Sequence, residues 1–159
     1  MIRETDPKNR KPEWGNDVEG ILGISMQEED IKGFYRDPRV MVSSDGAIDG
    51  GHPRGAGTYP RFLGRYVREY KVVSLEEGVR KMTSLPASVL GLKDRGHIAE
   101  GMKADLVLFN PDTVIDRSTI KDPTAAPEGI PYVIVNGQVA VDKGVATAAR
   151  AGQVLRKER

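Results

Sequence analysis

Asp45, His52 and Arg54 stand close together in SSDGAIDGGHPRGAGTYPRFLGRYVR, the run from Ser43 to Arg68. A carboxylate can take a proton and pass it on, an imidazole can orient a neighbouring group, and a guanidinium offers a planar fork that binds a carboxylate through two hydrogen bonds. Asp45 follows the apolar Val40, Met41 and Val42. That order predicts a short buried strand ending at an open loop, and α/β proteins build their sites at such strand ends. The same residues also allow plainer roles. Asp-Gly can start a tight turn by binding backbone N–H groups, His52 can be a hydrogen-bonded loop residue, and Arg54 a surface cation beside proline. Gly50, Gly51, Gly55 and Gly57 permit close backbone approach around the loop.

The elements needed to position these groups can be read from periodicity. Ser25 and Glu28 have capping-box spacing, and Ile31, Phe34 and Tyr35 give the following helix an apolar face that Asp37-Pro38 ends. Beyond the loop, Pro60 suits a first helical turn, and Phe62, Leu63, Tyr66, Val67 and Tyr70 share one helical face. Ser74 and Glu77 form a second capping-box pair ahead of Leu75, Val79 and Met82, with charged residues between them. Pro86 starts a short helix that Gly91 terminates. From Gly96 the character turns to β. IAEG is a turn, Asp105 precedes the apolar strand Leu106 to Phe109 and should bind turn backbone, and Lys121 to Pro131 is a proline-rich loop. In YVIVNGQVAV two β-branched runs flank Asn136-Gly137, the dipeptide of a type I′ hairpin. Gly144 allows a further reversal before a last strand near Val154.

The SDG, HPR, GTYPRFLGRYVRE, KMTSLPA and RGHIAEGMKADLVLFNP motifs, in this order, resemble the C-terminal part of the D-aminoacylases, N-acyl-D-amino-acid deacylases of the metal-dependent amidohydrolase superfamily. The resemblance covers roughly Met26 to Leu155. Residues 1–25 fit less well: IRETDPKNRKPEWGN resembles an upstream family segment brought close to Met26, which implies an internal shortening or a misjudged gene start. The implied fold is α+β, or partial α/β: the last portion of a (β/α)8 barrel followed by part of a small β-sandwich. Three stretches are expected: an extended arm at 1–25 pinned by Trp14, a helix-rich terminal barrel segment at 26–95, and a β-rich partial sandwich at 96–159. A whole barrel needs at least about 200 residues, and the chain has 159. A missing N-terminal segment or a homo-oligomer is therefore expected to complete it, since an incomplete sheet leaves unpaired edges.

Hydrolysing an unactivated amide needs a strong nucleophile at neutral pH and a proton for the departing nitrogen. Zinc-bound water can supply the first and a nearby carboxylate the second. The resemblance implies zinc in the complete enzyme, with Asp45 beside the metal at the end of the eighth barrel strand, accepting a proton and delivering it to the amine. It assigns Arg54 to the carboxylate of an N-acyl-amino-acid substrate and His52 to the pocket. His97, in the RGHIAEG turn, is expected to be structural, and Asp105 to bind a turn, although a second carboxylate near a metal stays open. The family's His-X-His pair and further barrel histidines are absent, and a catalytic zinc takes three protein ligands. The isolated chain is thus expected to bind zinc weakly and to be inactive alone. Alternatives are a non-catalytic remnant or oligomeric interaction module, or a segment of a cyclic-amide hydrolase.

Composition narrows the remaining classes. With 24 basic and 23 acidic side chains, nothing draws nucleic acid or an anionic membrane over long range. Arg61, Arg65 and Arg68 interleave with Tyr59, Phe62, Tyr66 and Tyr70 in a way that imitates a single-strand-binding surface, but a helix with arginines at the margins of an apolar face explains them more simply. The chain has no cysteine, which removes disulfides, thiolate metal sites and thiol nucleophiles. No apolar stretch has signal-peptide or membrane-span character, so a cytoplasmic protein is the default expectation.

Overall fold

The computed structural model describes residues 26–46 and 52–156. Ser25, Trp14, Gly50 and Gly51 lie outside the described residues, as does the expected N-terminal arm. Helix α1 is Glu28–Arg36, and its N-cap is Gln27 rather than the expected Ser25. The reciprocal bonding of a capping box is made two residues later by Gln27 and Asp30, whose carboxylate accepts the Gln27 N–H at 3.1 Å. Asp37 closes α1 as its C-cap.

After Arg39 the chain runs through Val40 to Gly46 without forming a strand, contrary to the expected buried strand ahead of Asp45. Among the described residues the four strands all lie between Leu106 and Ala146, so Val40 to Val42 has no strand beside it. The Val42 N–H donates instead to the Lys81 carbonyl at 3.1 Å. A β run without a neighbour stays an extended segment, because strand stability comes from the ladder and its cross-strand pairs.

Helix α2 spans Arg54–Arg61 and passes directly into a π-helix at Phe62–Glu69. Pro60 is therefore interior to α2 and not in its first turn, the place that its fixed φ had suggested. A proline there has no N–H for the Ala56 carbonyl, and such a break in the α ladder favours the wider winding that follows. The apolar face is as expected over most of its length: Phe62, Leu63, Tyr66 and Val67 are buried, whereas Tyr70 is half exposed. Tyr35 from α1 meets Phe62 and Tyr66 edge-on, at centroid distances of 4.6 and 4.8 Å. Val42 and Val114 complete this core, so it joins the helical region to the segment that follows β1.

Helix α3, Leu75–Met82, is capped by Ser74, whose hydroxyl accepts the Glu77 N–H at 3.2 Å. The Glu77 carboxylate does not reach back to close the box. It turns to Arg80, with Nε at 2.6 Å. Helix α4, Ser84–Leu90, stops at Gly91 with φ of 74°, the left-handed cap a glycine accepts without strain.

The sheet is a four-stranded antiparallel meander in the order β1 (Leu106–Leu108), β2 (Tyr132–Val135), β3 (Gln138–Asp142) and β4 (Val145–Ala146). Asn136 and Gly137 adopt φ of 45° and 79° between β2 and β3, as a type I′ hairpin requires. Its register pairs Val135 with Gln138, and an irregularity falls between Val133 and Ile134. Gly144 does reverse the chain, but the strand that follows is Val145–Ala146, and Val154 lies in no strand. The outer edges of β1 and β4 are unpaired within the sheet.

Candidate active site

Gly46 and Gly55 bring the Asp45 segment against the start of α2. A Cβ on Gly46 would stand 2.6 Å from the Gly55 Cα, so a side chain there would push the two segments apart. With the gap closed, Arg54 Nη2 lies 3.0 Å from Asp45 Oδ2. Asp45 itself takes φ of 46°, a left-handed conformation that aspartate tolerates better than most residues. His52 joins the group through Nδ1, which accepts the Arg54 backbone N–H at 3.0 Å. The three residues singled out from sequence therefore gather at the N-terminus of α2. Asp45 is largely open to solvent, and Arg54 about half so.

A contact between two such exposed groups contributes at most about 1 kcal/mol, because water screens it and two flexible side chains must be held still. It can therefore be exchanged for another partner.

The base of α2 is braced from behind by residues that the sequence did not single out. Ser118 Oγ donates to the Pro53 carbonyl at 2.9 Å, and Arg61 Nη1 donates to Asp116 Oδ2 at 3.1 Å. Arg68 Nη1 donates to the Val114 carbonyl at 2.6 Å and the Pro111 carbonyl at 3.2 Å, and Arg65 Nη2 donates to the Tyr70 hydroxyl at 2.7 Å. The arginines that imitated a nucleic-acid surface are thus engaged within the fold. The sequence held no signal for the braces to Pro111, Val114, Asp116 and Pro53, because each joins residues far apart in the chain; Arg65 and Tyr70 are five residues apart.

Lys81 is the second feature missed. It stood in the sequence only among the charged residues between the apolar positions of α3, yet it is fully buried, its ammonium donating to the Asp37 and Val40 carbonyls. Its spacing from Glu77, one helical turn earlier, was legible, and the carboxylate lies 3.6 Å from Nζ. Nothing in that spacing says that the lysine points inward.

His97 and Asp105 lie apart from this group, on the wall of an apolar groove of about 910 Å³ between the helices and the sheet. Tyr59, Leu63, Met82, Ile98, Leu106 and Phe109 also line it. Asp105 Oδ1 accepts the Asn136 N–H at 2.7 Å, and Oδ2 accepts Arg95. It binds a turn, as expected, although that turn is the distant β2–β3 hairpin.

Among the described residues no three histidine, cysteine, aspartate or glutamate side chains converge as a metal site. Asp45 has one oxygen directed to Arg54 and His52 has Nδ1 occupied, so these residues alone do not fit a zinc centre, which needs three protein ligands.

Residues 31–141 match the amidohydrolase family. The chain belongs to that family. It is 44% identical over 141 residues to N-acyl-D-glutamate deacylase and 40% identical over 138 residues to D-aminoacylase, both of Alcaligenes xylosoxydans xylosoxydans. Those alignments take in 87% and 86% of this chain but 29% and 28% of the two relatives. Among solved structures, N-acyl-D-glutamate deacylase of Bordetella bronchiseptica, complexed with zinc and a phosphonate mimic of the tetrahedral intermediate, superposes with a TM-score of 0.76 at 46% identity. The match covers 82% of this chain and 28% of that one. A D-aminoacylase structure described by its binuclear metal centre gives 0.77 at 40% identity, over 81% of this chain and 28% of its own. This amidohydrolase chain thus spans under a third of the length of its relatives, and its fold is that of a fragment of theirs. Among the described residues no helix is long and apolar enough to cross a membrane.

Proposed function

We propose that this chain is the C-terminal segment of an amidohydrolase that hydrolyses the amide bond of N-acyl-D-amino acids, with Asp45 as its acid/base carboxylate and Arg54 as the group that binds the substrate carboxylate. The observation that carries the reading is the contact of Arg54 with Asp45 at the start of α2. One guanidinium at this point can hold a substrate carboxylate while the carbonyl carbon of the scissile amide faces Asp45. The likeness to deacylases of N-acyl-D-glutamate and D-amino acids supports the substrate class.

In this reading Asp45 accepts a proton from the attacking water and delivers it to the departing amine nitrogen. Arg54 fixes the substrate through paired hydrogen bonds, and His52 holds the turn into α2 by accepting the Arg54 N–H. The zinc seen with a relative needs ligands beyond those described here, so we place the last barrel portion and a share of a small β-sandwich in this chain and the remaining ligands elsewhere. The chain alone is then inactive, and its partner is the missing N-terminal segment. We take the cytoplasm as its location.

Complementation tests this. Supplying the N-terminal segment of a related deacylase should restore hydrolysis of an N-acyl-D-amino acid, and Asp45→Asn should abolish it. Hydrolysis untouched by that substitution sinks the mechanism. Offering a hydantoin beside the open-chain substrate separates a cyclic-amide hydrolase from a deacylase.

The open apolar groove and the free edge of β1 favour a second reading, a non-catalytic module that associates through these surfaces. It requires a stable oligomer without zinc in sedimentation, and complementation that yields no activity.

A further inference from the structure

The segment that carries Asp45 has no strand beside it among the described residues, yet its backbone is tied down at several points, and the ties converge on the last turn of α3. Lys81 Nζ donates to the Asp37 carbonyl and, at 2.9 Å, to the Val40 carbonyl. The Lys81 carbonyl accepts the Val42 N–H at 3.1 Å. The neighbouring Arg80 adds a bond from Nη2 to the Pro38 carbonyl at 2.6 Å.

Among the described residues Lys81 is the one charged residue that is buried, with 0% of it exposed. An ammonium has three protons to place, and out of water each needs an acceptor. Two carbonyls take two of them, and Glu77 Oε1 at 3.6 Å provides the balancing charge. A surface lysine would be satisfied by solvent and would fix nothing. This one is satisfied only when Asp37 and Val40 stand where they do. Val42, 5% exposed, then locks the next residues against the Phe62 core and leaves a short span to Asp45.

We propose that Lys81 is a positioning residue for the site: its bonds hold the backbone from Asp37 to Val42 and so set where the Asp45 carboxylate meets Arg54. The inference rests on the reading of Asp45 as the working carboxylate. It differs from a role in folding alone, because removing the ammonium should move Asp45 while α3 and α4 stay in place.

The test is ¹⁵N NMR of the 159-residue chain, comparing wild type with Lys81→Met, which is unbranched, one atom shorter and without the donors. The Val42 amide is expected to exchange at least about tenfold faster. The Asp45 amide and the Arg54 Nε–H resonances should shift, while the Ala87 and Leu92 amides of α4 and its cap keep their wild-type exchange. A folded Lys81→Met chain with Asp45 and Arg54 at their wild-type resonances overturns the proposal. If Lys81→Met does not fold, wild-type exchange decides. Val42 protected to the same degree as Gly78 within α3 supports the anchor, and Val42 exchanging like an unfolded peptide while Gly78 is protected refutes it. The readout needs no turnover, so a failure of the acid/base assignment would appear separately, as Asp45→Asn activity in the complementation assay.

Discussion

Arg54 Nη2 stands 3.0 Å from Asp45 Oδ2, and the two residues reach each other because Gly46 and Gly55 pack backbone to backbone. The carboxylate proposed to move a proton is thus also the resting partner of the cation proposed to hold the substrate.

In a complemented deacylase, Arg54→Lys should raise KM by about tenfold, corresponding to about 1.4 kcal/mol of binding, with a smaller change in kcat. A lysine keeps the charge but cannot present a two-pronged fork. Steady-state kinetics on an N-acyl-D-amino acid and on its carboxamide analogue check this, since the carboxamide should lose affinity in the wild type and be nearly indifferent to the substitution.

Zinc added to this chain alone should show no tight one-to-one binding by calorimetry, because three ligands do not converge among the described residues. Tight binding lost in Asp45→Asn would show that assembly of several copies builds a site.

The fold should weaken at both ends of the pH scale. The Arg39 guanidinium lowers the Asp37 carboxyl, Arg80 lowers Glu77, Arg95 lowers Asp94 and Arg117 lowers Glu128, in each case first through a side-chain hydrogen bond. A lowered carboxyl pKa gives stability that is present above the unfolded value and lost as pH falls through the folded one. With ordinary values of 3.8 for aspartate and 4.5 for glutamate, Tm should decline from about pH 4.5 downward. These groups are exposed, so the decline should be gradual. Tyr66 works in the opposite sense. Burial first, and then the neighbouring Glu28 carboxylate, push its hydroxyl up to about 12 from an ordinary 10.0. That stability is complete below pH 10 and is lost as pH rises toward 12. Melting curves and phenolate absorbance across both windows check the two signs.

Ser74→Ala should cost about 1 kcal/mol by removing the acceptor for the Glu77 N–H. Phe62→Ala should cost about 3–5 kcal/mol, since Phe62 is 1% exposed and meets Tyr35 edge-on. Urea unfolding should reproduce this order.

How legible each feature was depended on how local its cause is. Ser74, Gly91 and Asn136-Gly137 announce a cap, a stop and a hairpin because each signal acts within a few residues. The π-helix after Pro60 escaped notice, since its apolar spacing fits an α-helix nearly as well. The Val40 to Val42 run was read as a strand from its composition, but a strand also needs a neighbour, and among the described residues it has none and is bonded to Lys81. At the site, Asp45, His52 and Arg54 were visible through their residue types. The residues that hold them, Lys81, Asp116 and Ser118, act across distances in sequence that no motif spans.

The π-helix between Phe62 and Glu69 makes this region sensitive to where along it a residue is lost. Its turns hold more residues than α turns, so deleting one would let the segment close into ordinary α winding. Each residue of an α-helix advances the azimuth by about 100°. A residue lost from the preceding α-helix, whose winding cannot absorb it, would instead swing everything that follows by about a third of a revolution, lifting Arg68 away from the Val114 carbonyl and Tyr66 out of the aromatic cluster. Here the count of residues matters as much as their identity, and an alteration that changes no side chain's chemistry could still dismantle the wall behind the site.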